Sequence, residues 1–317
     1  MTRALTVTLA SLGLAASALA QPYPTRPIRL VVPFPPGGTV DISARAIAPG
    51  VGEILGQNVI VENRGGAAGV IGTDLVAKAA PNGYTLLMGS NSTFSVAPAV
   101  NPNTPYNPVR DFTAITLVGA TPFVLVVHPS VPAKTVKELI ALARPKSGHL
   151  TMGSGGAGHL VGELFQSTTA VKFTHVPYQG AGPAGIALMG GQIDLMFDQL
   201  TTSIGPVKSG RTRALAVSSQ RRTPLLPDVP TMVEAGVAAF VVTSVTGVLA
   251  PAGTPAEVVN RINAAVHKVL ALPATKDRFA GIALETAPST PGELAAYVRD
   301  DLARWTKVVK DAGIKPD

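Results

Sequence analysis

Ile28-Arg29-Leu30-Val31-Val32-Pro33-Phe34-Pro35-Pro36-Gly37-Gly38-Thr39-Val40-Asp41 is the stretch on which the fold turns. Ile28 to Val32 reads as a buried strand, since apolar, largely β-branched residues run almost without interruption. From Asp41 to Leu55 the pattern is helical. The prolines between them hold the chain extended and withdraw backbone donors. Gly37 and Gly38 permit unusual φ and let a ligand approach the backbone. The helix start then offers unpaired N–H groups and the positive end of its dipole, which favours an anion. Thr39 and Asp41 are both candidates to cap this helix. A tight βα turn with a capped helix explains the same residues without a ligand.

Working outward, the strand–helix alternation continues. Val59 to Val61 and Tyr84 to Met88 read as strands, with Gly69 to Ala79 helical between them. This β-α-β-α-β order argues for a parallel, doubly wound sheet. A similar unit follows: strand Phe123–Val127, helix Val136–Ala143, strand Leu150–Met152 and helix His159–Thr169. Further strands are read at Phe173–Val176, Leu195–Phe197 and Ala214–Val217. The expectation is an α/β chain of two lobes, each a mostly parallel sheet flanked by helices. The chain crosses first near Gly119–Phe123 and returns through Ser244–Pro255. Lobe one is then 21–121 plus 245–317, and lobe two is 122–244. Near the C-terminus, Val258, Ile262, Ala265, Val266 and Val269 mark one apolar helical stripe. Leu294, Val298, Leu302, Trp305 and Val309 mark another, punctuated by Pro291 before it and Gly313 after it.

The N-terminus reads as a secretory signal. Met1 to Arg3 carries one basic residue, Ala4 to Leu14 is apolar, and Ala18-Leu19-Ala20 is a small-x-small pattern. Cleavage is expected after Ala20, releasing a soluble, monomeric protein into the periplasm. The sequence contains no cysteine, which excludes disulfides, thiolate metal sites, a Cys nucleophile and lipoprotein attachment. The formal charge is +7, yet only 14% of residues are charged and 5% aromatic. The basic residues are scattered, which argues against a nucleic-acid surface. The excess suits anionic ligands, or is simply a property of the surface.

A second glycine-rich helix start follows at Gly153-Ser154-Gly155-Gly156-Ala157-Gly158-His159. It repeats the anion-binding logic in the other lobe, with Ser154 adding a hydroxyl. Two such starts facing one another across a cleft hold a dicarboxylate, or one carboxylate and a polar tail. Ser90, Asn91, Ser92 and Thr93 follow a strand, as do Tyr178 and Gln179. Asp198 ends an apolar strand, where a side chain reaches a ligand or caps a turn. Catalytic patterns are missing: Ser154 lacks a nucleophile-elbow context, and no histidine pair has zinc-ligand spacing. Neither metal nor cofactor is expected.

Several blocks together resemble the tripartite tricarboxylate transporter substrate-binding (Bug) family over nearly the whole mature chain. They include Tyr23-Pro24 with Arg26-Pro27-Ile28, then Val61-Glu62-Asn63-Arg64 and Gly83-Tyr84-Thr85-Leu86-Leu87. Later blocks are His175-Val176-Pro177-Tyr178, Gly190-Gly191-Gln192-Ile193-Asp194 and Leu226-Pro227-Asp228-Val229-Pro230. The resemblance implies a clam-like periplasmic binding fold and delivery to a permease of one large and one small membrane subunit. It implies a ligand carboxylate held by the first βα loop, here Phe34, Pro36, Gly37, Gly38, Thr39 and Asp41, often through ordered waters. The second lobe completes the site with Ser154, Gly155, Gly158 and His159. The chain departs from the family pattern at Phe94, at Val245, and in the Ser154–His159 loop, which is about three residues short.

The sequence therefore predicts capture of a small organic carboxylate without chemistry. The alternatives are a sensory role, docking on a periplasmic signalling domain, and a periplasmic hydrolase. Neither glycine-rich loop contains Arg or Lys, so no Arg fork from these loops should meet the carboxylate.

Overall fold

The computed structural model describes residues 23–145, 148–238 and 240–314. The expected signal segment, Met1 to Ala20, lies outside them. β1 (Ile28–Val32) is the buried strand expected from its composition. α1 (Thr39–Leu55) follows, starting two residues earlier than its periodicity indicates. Val40, Ala44, Ile47, Val51 and Leu55 form its buried stripe, and Gly56 ends it in the left-handed conformation. β2 (Val59–Asn63), α2 (Val70–Ala77) and β3 (Thr85–Ser90) complete a parallel three-stranded unit in the order β2-β1-β3. A single wide turn of π-helix at Ser92–Val96 leads into the short α3 (Ala97–Val100).

β4 (Phe112–Val127) is the strand that organises the whole molecule. The second unit contains α4 (Val136–Ala143), β5 (Thr151–Ser154), α5 (Ala157–Thr169), β6 (Thr174–Pro177) and α6 (Ala181–Met189). It continues through β7 (Leu195–Gln199), α7 (Leu200–Lys208) and β8 (Arg213–Val217). The chain returns through β9 (Thr243–Pro251) and closes with α8 (Ala256–Ala271), α9 (Pro273–Ala280), the two-residue β10 (Glu285–Thr286) and α10 (Pro291–Ala312).

From Phe112 to Pro122, β4 runs antiparallel to β9 in the first sheet. From Phe123 to Val127 it runs antiparallel to β7, with β8 on its other side from Val124. β5 pairs in parallel with both β6 and β7, so β6-β5-β7 mirrors β2-β1-β3. Each sheet is thus mixed: three parallel strands extended by antiparallel ones. The return segment read at Ser244–Pro255 proves to be this antiparallel strand β9, buried along nearly its whole length.

Each lobe has its own core. Ile28, Leu30, Ile47, Leu86, Ile262 and Val266 belong to the first. Leu125, Met152, Leu160, Phe165, Phe197 and Phe240 belong to the second. Phe165 is central there, with ring centroids 5.3 Å from Phe197 and 6.1 Å from Phe240. α10 serves both lobes. It opens with a Thr290–Glu293 capping box and Pro291 in its first turn, and ends at Gly313, as the punctuation indicates. Its Leu294 and Val298 pack beside Leu87 and Phe94 of the first lobe. Its Trp305 and Val309 join the core cluster of the second.

Phe165→Ala should destabilise the protein by about 3–5 kcal/mol, the usual cost of emptying a buried aromatic site. Urea unfolding followed by the fluorescence of Trp305, the single tryptophan, reads this directly. A midpoint and slope equal to those of the wild type would show that the aromatic cluster is not a packed core.

Candidate functional site

The carboxyl ends of β1 and β3 in one sheet, and of β5, β6 and β7 in the other, converge on one cleft. This is where open α/β sheets place their ligands, because the βα loops and helix starts gather there. Phe34 stands at the centre. A Cβ placed on Gly69, Gly156 or Gly180 would lie 2.8, 3.9 or 3.8 Å from the Phe34 ring. One aromatic side chain of the first lobe therefore rests on backbone from both lobes. Gly155 meets Gly180 even more closely: a Cβ on Gly155 would come within 2.2 Å of the Gly180 carbonyl carbon.

Three compartments surround this contact. The central one is narrow and lies between the starts of α1 and α6. It is lined by Phe34, Gly38 and Thr39 from the first helix start and by Gly180, Ala181 and Gly182 from the second, with Ser90, Ser92, Gly155 and Gln199. Gly38 and Gly180 are the N-cap residues, and neither helix has a side-chain cap. Their first-turn N–H groups have no intrahelical acceptor. Thr39 Oγ1 and Ser90 Oγ are buried and have no hydrogen-bond partner. Leaving a buried hydroxyl unpaired costs about 1–3 kcal/mol, so these groups mark a place built for something polar.

A compartment of about 410 Å³ opens on one side, lined by Ser92, Ser154, His159, His175, Tyr178 and Gln179 among others. Ser154 Oγ and His175 Nε2 are 2.7 Å apart. The His159 and His175 rings stack at 3.9 Å, nearly parallel. A compartment of about 480 Å³ opens on the other side, between α6 and α7, and reaches Pro36, Gly37 and Asp198.

The cleft thus gathers Phe34, Pro36, Gly37, Gly38, Thr39, Ser90, Ser92, Ser154, Gly155, His159, Tyr178, Gln179 and Asp198. Four predicted residues line none of its compartments. Asp41 braces the first loop: its carboxylate accepts from Gly37 N–H at 3.1 Å, Asn63 Nδ2 at 2.9 Å and Arg45 Nε at 2.9 Å. Burial alone pushes this carboxyl up, but the bonds from Arg45, Asn63 and Gly37 outweigh it and hold it below the ordinary range. The Gly37 N–H is therefore already committed. Asn91 is bound to Tyr297, Asp301 and the Val245 N–H. Thr93 Oγ1 closes a turn on Ser90. Gly158 lets α5 approach β7, since a Cβ there would sit 2.4 Å from the Phe197 carbonyl oxygen.

The second glycine-rich start also differs from its sequence reading. The Ala157 N–H of α5 donates to Ser92 Oγ at 2.8 Å, so this helix start is occupied by the opposite lobe. The helix start that faces α1 belongs to α6. Gly180-Ala181-Gly182-Pro183 was the available signal, with proline in the first turn after a strand. His175, quoted only within a block of family resemblance, was not among the residues assigned to the site.

Asp198 Oδ1 accepts from Gln199 N–H, and Oδ2 from the hydroxyls of Thr202 and Ser203, which ties it to the first turn of α7. Burial raises its carboxyl from 3.8 to about 6, against these three hydrogen bonds. Between those values the unfolded chain is ionised while the folded protein holds the proton. This stabilisation is complete below about pH 4 and is lost as pH rises through 6, amounting to roughly 3 kcal/mol. Asp198→Asn should remove that slope. Measured by urea unfolding from pH 4 to 7, the variant's stability relative to wild type should rise with pH. A constant difference would contradict the raised value.

The residues 43–314 match the family described as tripartite tricarboxylate transporter family receptor. The protein BugT of Bordetella pertussis is 37% identical over 99% of both chains. Among solved structures, the periplasmic binding protein BugD is 36% identical with a TM-score of 0.89, covering 93% of this chain and all of that one. An R. palustris protein solved with adipate is 37% identical with a TM-score of 0.90, with the same coverage. The fold is thus the two-lobe periplasmic binding protein fold. No helix among the described residues is long and apolar enough to cross a membrane. The chain belongs to the tripartite tricarboxylate transporter receptor family, whose members are periplasmic solute-binding receptors and not enzymes.

Proposed function

We propose that the protein captures a small organic carboxylate in the central compartment and delivers it to a tripartite membrane transporter with one large and one small membrane subunit. The observation that carries this reading is the meeting of two uncapped helix starts, α1 and α6, around two unpartnered buried hydroxyls. Each helix start contributes about half a positive charge, so the pair matches one carboxylate. Thr39 Oγ1 and Ser90 Oγ supply donors. The relative solved with adipate supports the same ligand chemistry.

Lobes 21–121 with 245–317 and 122–244 close on the ligand about the hinge strands β4 and β9, with α10 lying across both. The N-terminal segment through Ala20 is removed on export, and the protein works as a monomer without cofactor or metal.

A panel of carboxylic acids tests this by thermal unfolding, since a ligand at 100 times its Kd stabilises by about 2.7 kcal/mol. At least one acid should raise the melting temperature, and its uncharged amide should not. A Thr39→Val, Ser90→Ala double variant loses two hydrogen bonds to a charged group, each worth about 1.5–3 kcal/mol, or roughly 10–150-fold in Kd. Unaltered melting across every acid would sink the proposal. Deleting the protein should abolish uptake of the acid that binds.

A further inference from the structure

The two flanking compartments differ in chemistry, and the difference bears on the body of the ligand. The one between α6 and α7 contains the Asp198 carboxyl, a poor neighbour for an anion. No acidic side chain lines the other, and neither Arg nor Lys lines it or the central compartment. Its first-lobe wall is mainly aliphatic, Ala67, Ala68, Val70, Val96, Ala97 and Val100, with Ser92, Asn101 and Thr104 as its polar members. Its second-lobe wall carries the stacked rings of His159 and His175 and the ring of Tyr178, with Ser154 and Gln179 beside them.

Resting on the reading of the central compartment as the seat of one carboxylate, we propose that this 410 Å³ compartment takes the ring of an aromatic monocarboxylate. The receptor is thereby selective for aromatic acids over aliphatic dicarboxylates.

Charge is the first support. Two helix starts together offer about one positive charge, which one carboxylate consumes. A second carboxylate in the side compartment would find no Arg or Lys, and burying it without a fixed cation is costly. Shape is the second. Methyl groups concentrated on one wall opposite three planar rings on the other suit a flat apolar body, because aromatic rings gain from offset or edge contacts beyond the area they bury. Strain is the third. Ala67 and Ala68 are consecutive non-glycine residues with φ of 46° and 52°, a left-handed conformation that side chains disfavour. Both side chains line this compartment, and such strain gathers at ligand sites.

Titration calorimetry of the mature protein with phenylacetate, benzoate and adipate tests the proposal. One of the aromatic acids should bind at least about tenfold more tightly than adipate, a difference of about 1.4 kcal/mol. Ala97→Phe, which fills the aliphatic wall, should weaken that aromatic acid by about tenfold or more. Val100→Phe serves the same purpose should the first variant fail to fold, with Trp305 fluorescence reporting on the fold. Adipate binding as tightly as the aromatic acids would overturn the ring assignment while leaving the carboxylate seat intact. So would a folded Ala97→Phe protein with unchanged aromatic affinity. Failure of all three acids, together with every other acid tested, would remove the seat itself.

Discussion

One sixteen-residue strand, β4, belongs to two sheets, and most of the architecture follows from that constraint. Its partner changes from β9 to β7 between Pro122 and Phe123. A strand rises at most about 3.3 Å per residue, so β4 spans up to roughly 50 Å and joins the two sheets through one continuous backbone. The parallel strands of both sheets then turn their carboxyl ends toward a common gap. The βα loops of each lobe have nowhere to gather except opposite the loops of the other. The site is thus a product of strand pairing before it is a product of any side chain.

Within that gap, close approach is achieved by omitting side chains. Gly155 against Gly180, and Gly156 against Ser92, bring backbone to distances at which a Cβ would collide. Gly156 also has φ of 83°, which side chains rarely permit. Phe34 fills the space so created, and Ser92 spans the gap to the Ala157 N–H. Such a contact is small, and a single neutral hydrogen bond contributes only about 0.5–1.5 kcal/mol. A ligand that touches both helix starts gains differential affinity for the closed arrangement, which is what a capture device requires.

The parts of the fold legible in the sequence were those with strong local signals. β1 and α1 announced themselves by a buried run followed by Pro-Pro-Gly-Gly, and α10 by its periodicity, Pro291 and Gly313. α6 was hidden because AGPAGIALM is apolar nearly all round and carries little periodicity. The assignments of Asn91 and Thr93 to the ligand had a sound basis in their position after a strand. Thr93 instead closes a turn on Ser90, and Asn91 is held by Tyr297 and Asp301, more than 200 residues away. No local reading reveals a partner at that distance. Gly158 looked like a donor of backbone N–H, but its role is to let α5 lie on β7.

The central compartment offers helix dipoles where many carboxylate sites use an arginine. A helix start is fixed by its own hydrogen bonds, so its N–H groups are oriented before the ligand arrives. Arg and Lys side chains would have to surrender rotamer freedom on binding, about 2 kcal/mol for a full side chain. Asp41 contributes to this preorganisation without touching the cleft. Its carboxylate, paired with Arg45, adds little net charge to the start of α1, yet it fixes the Gly37 N–H and thereby the turn. A rigid, weakly charged seat of this kind suits a carboxylate and leaves the identity of the rest of the ligand to its neighbours. In the proposed reading, specificity then falls to the walls of the side compartment, lined by Ala97, Val100 and the His159–His175 stack.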